Sequence, residues 1–432
     1  MDLFAKFKKD YLNYLISIIL PALFTGLSIP VFKNLLGAKG YGKYAIYMNA
    51  VLIGNAILTG WITQSIIRFY PQENNKELFT KTVFSFAVKL QMMFLAPIIF
   101  AGWYFTGSIL LSVILFTSLF TISMQFCMLS FAQAGFLSKK TIFSESIRVL
   151  VFLGAAILIL SFTPVNYIYA LFISTILGYL CSSVYLYKKV TSSLSSEHNI
   201  ATRSYKGLLQ KIINYGAPLS LWFVIAYLIS YVDKIFIVHN LGSEIQGNYQ
   251  ALFDLISKAI TIILSPVLIA LLPLVVKAHE TGRKTDVKKL LLKIIFFEAA
   301  GFILTATGYW FFGSDVLQRI LKIPATPVFK QAGLLIIAGT FVWQIAMVAH
   351  KRFELKFQST YLLYMMLSAL IVQLILYGFF VKKSGILIYP IGYLAASGTY
   401  LFLVAFSTNL VYLKKAINTG RAYLSKYQIF KP

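Results

Sequence analysis

Negative charge is what this chain has least of. Its 432 residues hold 14 Asp and Glu against 39 Lys and Arg, and charged side chains make up 12% of the sequence, about half the share usual in a soluble domain. That deficit, with a 59% hydrophobic content and a mean hydropathy of +0.77, excludes a soluble globular protein. Cysteine is nearly missing: Cys127 and Cys181 both fall inside apolar runs, where a free thiol behaves as a small hydrophobe. A disulfide framework is therefore excluded, and redox chemistry has no support. The histidines are few and scattered, with His198 and His279 in polar loops and His239 and His350 near the ends of apolar runs. No His/His or His/Glu ligand spacing lies within a run, so no metal site, catalytic residue or cofactor is expected.

What the chain does have is about twelve long apolar runs, each close to the roughly 20 residues that span a bilayer core of about 30 Å as a helix. They lie near 11–36, 41–69, 79–104, 109–134, 141–161 and 164–187, then near 212–239, 245–276, 288–312, 328–350, 359–380 and 385–412. The eighth is long enough to tilt, kink at Pro266 or protrude. The first is too long for a signal-peptide core, and no small-residue cleavage pattern follows it, so it is expected to stay as a spanning helix. The formal charge of +25 is spread over short loops, which speaks against a nucleic-acid partner. With the loops assigned to alternate sides, about 28 Lys and Arg fall on the side of the N-terminus and about 8 opposite, which predicts that both termini are cytoplasmic. The near-side clusters are Lys6, Lys8 and Lys9; Lys139 and Lys140; Lys188 to Lys211; Lys277 to Lys293; Lys351, Arg352 and Lys356; and Lys414 onward. Trp103 with Tyr104, and Tyr309 with Trp310, sit where an aromatic belt would at the far side.

The longest polar stretch includes the Ser-rich TSSLSSEHNIATRS and reads as a linker between two halves. The expected division is 1–190, an N-terminal six-helix bundle; 191–211, a cytoplasmic linker; and 212–432, a C-terminal six-helix bundle. A weak repeat supports it. Leu36-Gly37, Gly42 and Tyr44 recur at the same spacing as Leu241-Gly242, Gly247 and Tyr249, each set joining the first run of a half to its second. Each half has an even number of runs, so the halves share one orientation and are related by an axis along the membrane normal. The fold class is thus all-α integral membrane, with twelve transmembrane helices in two pseudo-symmetric bundles.

An ionised side chain at mid-membrane costs about 3 kcal/mol, so one that persists normally faces a cavity or a partner. Lys89 sits mid-way along the third run, Glu298 along the ninth, and Asp254 with Lys258 on one face of the eighth, four residues apart. Glu145 with Arg148, Asp233 with Lys234, and Arg68 lie nearer run ends. Asp254 and Lys258 form either an internal salt bridge that lowers the cost of burial or a cation lining a path with a carboxylate tuning it. Lys89 has no charged neighbour on its own helix, which favours cavity lining over snorkelling. Glu298 is the candidate protonatable group, because a carboxyl in low dielectric can exchange a proton, though a plain hydrogen bond to a neighbouring helix fits as well. Lys33, Lys39, Lys43 and Arg68 read as interfacial anchors. Asn49, Asn55, Gln64, Gln91, Gln125 and Gln344 are polar points of the kind that hold helices together.

The run ILPALFTGLSIPVFKNLLGAKGYGKYAIYMNAVLIGNAILTGWITQSIIRFYPQ resembles the opening two helices of the Wzx-type flippases, members of the multidrug/oligosaccharidyl-lipid/polysaccharide exporter superfamily. YGAPLSLWFVIAYLISYVDKIFIVHNLGSEIQGNYQALF is similar to the start of their C-terminal half, including the Asp233-Lys234 pair and the Leu-Gly turn followed by Gly-x-Tyr. The resemblance covers most of the chain through loose motifs. It implies two six-helix bundles in a V around a central cavity that opens to alternate sides. The implied substrate is an oligosaccharide on undecaprenyl diphosphate, exported across the inner membrane for O-antigen (lipopolysaccharide) or capsule synthesis, with membrane lipids around the tail and polysaccharide polymerases as partners. Related lipid II flippases place cations in their first, second and eighth helices, and Lys258 matches the eighth-helix member. This sequence departs from that set, offering Thr25 and Ser28 in the first helix and Asn49 and Asn55 in the second.

The expected contacts to the diphosphate are therefore Lys258, Lys89 and Arg148, with Asp254 or Glu298 serving any coupled H⁺ or Na⁺. A multidrug or metabolite antiporter of the same superfamily is the alternative and would have an acidic cavity. An integral-membrane polymerase or acyltransferase is a further one, against which stand the absence of a large outer loop and of an acidic residue in the first outer loop, LLGAKGYGK.

Overall fold

The computed structural model describes the backbone of residues 3–73, 75–135, 137–192, 205–280, 284–355 and 358–427; side chains are described from 23 to 264 and from 289 to 407, apart from short gaps. Most of the expected linker, 193–204, lies outside the described residues. So do the side chains of the basic clusters at Lys6 to Lys9 and from Lys414 onward, much of the cluster from Lys277 to Lys293, and the side chain of Pro266.

Among the described residues every regular element is helical. In chain order these are α1 (Leu3–Asn55), α2 (Trp61–Phe69), α3 (Lys76–Met93), α4 (Leu95–Thr106), α5 (Ile109–Ala134), α6 (Ser138–Phe162) and α7 (Tyr167–Thr191). The second half continues with α8 (Tyr205–Leu241), α9 (Ser243–Glu280), α10 (Lys284–Asp315), α11 (Pro327–Leu355), α12 (Ser359–Ser384) and α13 (Ile388–Tyr427). Side-chain caps fix several starts. Asn75, Ser108 and Asn166 accept from the backbone N–H of Leu78, Leu111 and Ile168, so the first orphan donors of α3, α5 and α7 are satisfied.

Among the described residues eight stretches are long and apolar enough to cross a membrane, or nine if the pair α3 and α4, bent by 46°, is one crossing. Two of them, Leu23–Gln72 with 50 residues and Thr360–Ser407 with 48, are each far longer than one crossing needs. Both are broken by a glycine at positive φ, Gly37 (φ 69°) and Gly385 (φ 57°). With these breaks counted and α9 added, the helical passages retrace the twelve apolar runs in order. The second arm of α1 runs into α2 through a π turn at Ala56–Gly60.

The sequence repeat has a structural meaning. Gly37 and Gly242 both take positive φ, at 69° and 88°, so each copy of the repeat turns at a backbone position that favours glycine. Beyond those turns α1 and α9 cross so closely that a Cβ on Gly247 would meet the carbonyl oxygen of Ala38 at 1.8 Å. Only a residue without a side chain permits that approach. A second seam joins α2 to α8. There Ser65 Oγ donates to the carbonyl of Ile212 at 2.9 Å, Phe69 packs edge-on against Tyr215 with ring centroids 5.5 Å apart, and Ser220 donates to the carbonyl of Ala56 at the π turn. Two seams thus hold earlier helices against later ones, α1 on α9 and α2 on α8.

Two expectations for the helix ends are corrected. Trp103, Tyr104 and Trp310 are exposed, as a belt requires, but Tyr309 is buried because its ring fills the space over Gly313 and Gly333. Lys33 is no surface anchor. It is 6% exposed, and its ammonium donates to the carbonyl of Lys322 at 3.0 Å, while Asn34 reaches the carbonyl of Ile320 at 3.4 Å. Both contacts tie α1 to the connection between α10 and α11.

Candidate functional site

Between the two seams lies a cavity of about 590 Å³, lined from the first half by α1, α5, α6 and α7 and from the second by α8 and α9. Arg148, Lys234 and Lys258 supply its positive charges, and Glu145 and Asp254 its negative ones.

The five are not equivalent. Glu145 and Arg148 lie three residues apart on α6 and form a closed pair: Arg148 Nε and Nη2 donate to Glu145 Oε2 at 2.9 and 2.8 Å. The other Glu145 oxygen accepts from Gln125 of α5 at 2.5 Å, and the guanidinium lies 5.1 Å from the centroid of the Tyr179 ring on α7. Three helices therefore hold Arg148 in one orientation.

Asp254, on α9, accepts from Tyr41 Oη on α1 at 2.7 Å and from Gln250 Nε2 at 2.7 Å. It does not bridge to Lys258, four residues on, although the spacing allows it. Both carboxylate oxygens are already engaged by neutral donors. Lys258 is exposed within the cavity and makes no hydrogen bond or ion pair among the described residues.

Lys234 and Asp233 are neighbours on α8 that point opposite ways. Asp233, 3% exposed, turns into the second half, where Gln373 Nε2 donates to it at 2.6 Å and Tyr377 Oη donates to the same oxygen. Lys234, also 3% exposed, turns toward the cavity with its ammonium 3.1 Å from Ser230 Oγ, and among the described residues no carboxylate lies within salt-bridge distance of it.

Of the residues singled out from sequence, Lys258, Arg148 and Asp254 line one cavity, and Lys89 and Glu298 do not join them. Lys89 is exposed on the face of α3 that also carries Lys81, Ser85 and Met93, and it is not among the lining residues. Glu298 is 0% exposed inside the second half. Neither of its oxygens has a hydrogen-bond partner among the described residues, and it too lies outside the lining. Tyr41 and Lys234 were missed as site residues. Tyr41 stands at the very start of an apolar run and Lys234 near the end of one, so both read as boundary residues. The polar points at Asn49, Asn55 and Gln125 do bind helices together: Asn49 Nδ2 donates to the carbonyl of Tyr227 at 3.3 Å, and Asn55 Oδ1 accepts from Thr59 and Ser123, each at 2.8 Å.

A family model described as "Polysaccharide biosynthesis protein" matches residues 7–279. The chain belongs to that family. No curated relative matches it by sequence. Among solved structures, this family member is similar to a variant of the MATE transporter VcmN of Vibrio cholerae, with a TM-score of 0.70 at 14% identity over 96% of this chain and 98% of the other. It is equally similar, with a TM-score of 0.70 at 12% identity over 94% and 95%, to a transporter of the MOP superfamily from Pyrococcus furiosus, whose description notes a reversed polarity of the binding pocket. It shares with them the helical transporter fold.

Proposed function

We propose that this chain is a flippase that moves undecaprenyl-diphosphate-linked oligosaccharide from the cytoplasmic to the outer leaflet by alternating access, for O-antigen or capsule synthesis, with no covalent chemistry. The observation that carries the reading is the state of the cavity's charges. Both carboxylates are already occupied by internal donors, while Lys234 and Lys258 have no carboxylate partner among the described residues. A cavity in that state is short of anions. A diphosphate with roughly two negative charges fills the deficit, each lysine contact being worth about 4 kcal/mol at 4 Å in an effective dielectric of about 20, before desolvation. Family membership adds that the cargo belongs to polysaccharide assembly.

In this reading the two halves, 1–190 and 212–432, rock about the cavity while the lipid tail stays among membrane lipids. The protein sits in the inner membrane with both termini cytoplasmic, and polysaccharide polymerases receive its product. A membrane potential negative inside favours outward passage of an anion by about 2.3 kcal/mol per charge per 100 mV, so coupling to H⁺ or Na⁺ is permitted without being required. Asp254 in the cavity and Glu298 in the second half are the groups for such coupling. Of the three expected phosphate contacts, the cavity lining supports Lys258 and Arg148 as groups facing the headgroup and gives no support to Lys89.

The test is reconstitution in liposomes with a fluorescent lipid-linked saccharide. The protein should expose it to the outer medium, and Lys258→Ala should cut the rate at least about tenfold with normal protein levels. Transport of organic cations with no movement of the lipid-linked sugar would favour the antiporter reading instead.

A further inference from the structure

The cavity's cations divide into two chemically different sets. Lys234 and Lys258 project from α8 and α9 in the second half without a salt bridge among the described residues. Arg148, on α6, is charge-compensated by Glu145, which Gln125 holds in turn, and its guanidinium lies over the Tyr179 ring. A guanidinium has five N–H donors, of which Glu145 takes two, so three remain for a ligand. An arginine whose charge is already balanced gains little from a phosphate, because Glu145 repels the same anion. Its fixed, planar, spare donors instead suit neutral hydroxyl or amide oxygens, and the Tyr179 and Tyr44 rings beside it on the lining offer apolar faces for a sugar ring.

Size agrees with this division. A volume of about 590 Å³ lies within the range of about 300–1,000 Å³ usual for a single ligand headgroup. It accommodates a diphosphate with its nearest sugar and leaves the rest of a repeat unit outside.

We propose that the cavity is a two-part site in which Lys234 and Lys258 hold the diphosphate and the Arg148–Glu145–Gln125 cluster with Tyr179 selects the first sugar, favouring a neutral hydroxyl- or acetamido-bearing residue over a uronic acid. This rests on the flippase reading and deepens it. A carboxylated first sugar would meet Glu145 and Asp254, with the neighbouring cations already engaged.

The experiment measures binding of three probes to the full chain in nanodiscs: undecaprenyl diphosphate alone, the same lipid bearing N-acetylglucosamine, and the same lipid bearing galacturonic acid. The wild type should prefer the neutral sugar to the acidic one by about tenfold. Lys234→Gln with Lys258→Gln should weaken all three probes together by about tenfold or more. Arg148→Gln with Glu145→Gln, which removes both partners and so leaves no stranded charge, should leave the bare diphosphate within about twofold and abolish the preference between sugars. A size-exclusion profile and melting temperature like those of wild type confirm that the double variants fold. The division is overturned if the Arg148/Glu145 variant loses the bare diphosphate as severely as the lysine variant, or if wild type binds the acidic sugar as well as the neutral one. Failure of all three probes to bind wild type would instead sink the flippase reading on which it stands.

Discussion

At matching places in the sequence repeat, the two halves of this molecule treat the same tyrosine in opposite ways. Tyr44, after the turn at Gly37, lines the cavity and packs its ring on Phe172 at 5.4 Å. Tyr249, after the turn at Gly242, is 1% exposed, tilted against Phe253 and edge-on to Tyr389 with centroids at 6.2 and 6.3 Å. The polar centres differ in the same sense. In the first half Ser28 lines the open space and donates to the carbonyl of Thr25 at 2.7 Å. Its counterpart at the repeat's spacing is Asp233, enclosed by Gln373 and Tyr377. Duplicated turns and seams therefore do not impose duplicated interiors. At these matched positions one copy of the repeat faces the cavity and the other is closed by packing.

Substitutions can break that contrast or sharpen it, and the largest effect is expected where the halves touch. Gly247→Val puts a side chain where a Cβ alone would meet Ala38 at 1.8 Å. It should cost about 3 kcal/mol or force the seam apart, seen as a lowered melting temperature together with new labelling of a cysteine placed at Ala38. Unchanged melting and labelling would mean that the seam is not closely packed. Next in size is Asp233→Ala, which strands Gln373 and Tyr377. Destabilisation of about 2–3 kcal/mol in thermal unfolding is expected, with little change in affinity for undecaprenyl diphosphate, since this network faces away from the cavity.

Ser28→Asp would give the copy that faces the cavity the carboxylate of the closed one. An added negative charge on the lining should weaken an anionic headgroup by about tenfold with no loss of stability, and improved binding would show that the cavity does not seek anions. Smallest in stability terms is Glu298→Gln, a near-isosteric change in the second half expected to stay within about 1 kcal/mol of wild type. Its informative readout is transport: if Glu298 exchanges a proton, stimulation by an imposed pH gradient disappears in the variant, and intact stimulation removes it from the coupling path.

Much of the architecture was legible because the bilayer makes length and apolarity nearly sufficient. The helical runs and the glycine turns of the Gly-x-Tyr repeat follow from requirements that the sequence displays openly. The faces of the helices were harder to read. In a soluble helix, contrast between wet and dry sides marks the inward face, but here both sides are apolar, so Lys89 and Lys258 look alike in sequence although one faces outward and the other lines the cavity. Pairing was equally hidden. The spacing of Asp254 and Lys258 suggested a salt bridge, yet Tyr41, 213 residues away along the chain, occupies the carboxylate. Tyr309 and Lys33 misled for a related reason: residues at run ends were read as interfacial, and only the glycines opposite Tyr309 and the carbonyl of Lys322 draw them inside.

The π turn at Ala56–Gly60 sets the rotational phase of everything that follows it in that helix. It absorbs one surplus residue relative to an α-helical path, so a deletion inside it is tolerated, whereas trimming a single position from the regular turn that follows, ahead of Ser65, would wind the remainder round by about 100°. Ser65 and Phe69 would then swing away from Ile212 and Tyr215, and one of the two joints between the halves would come undone without any change to the groups that compose it.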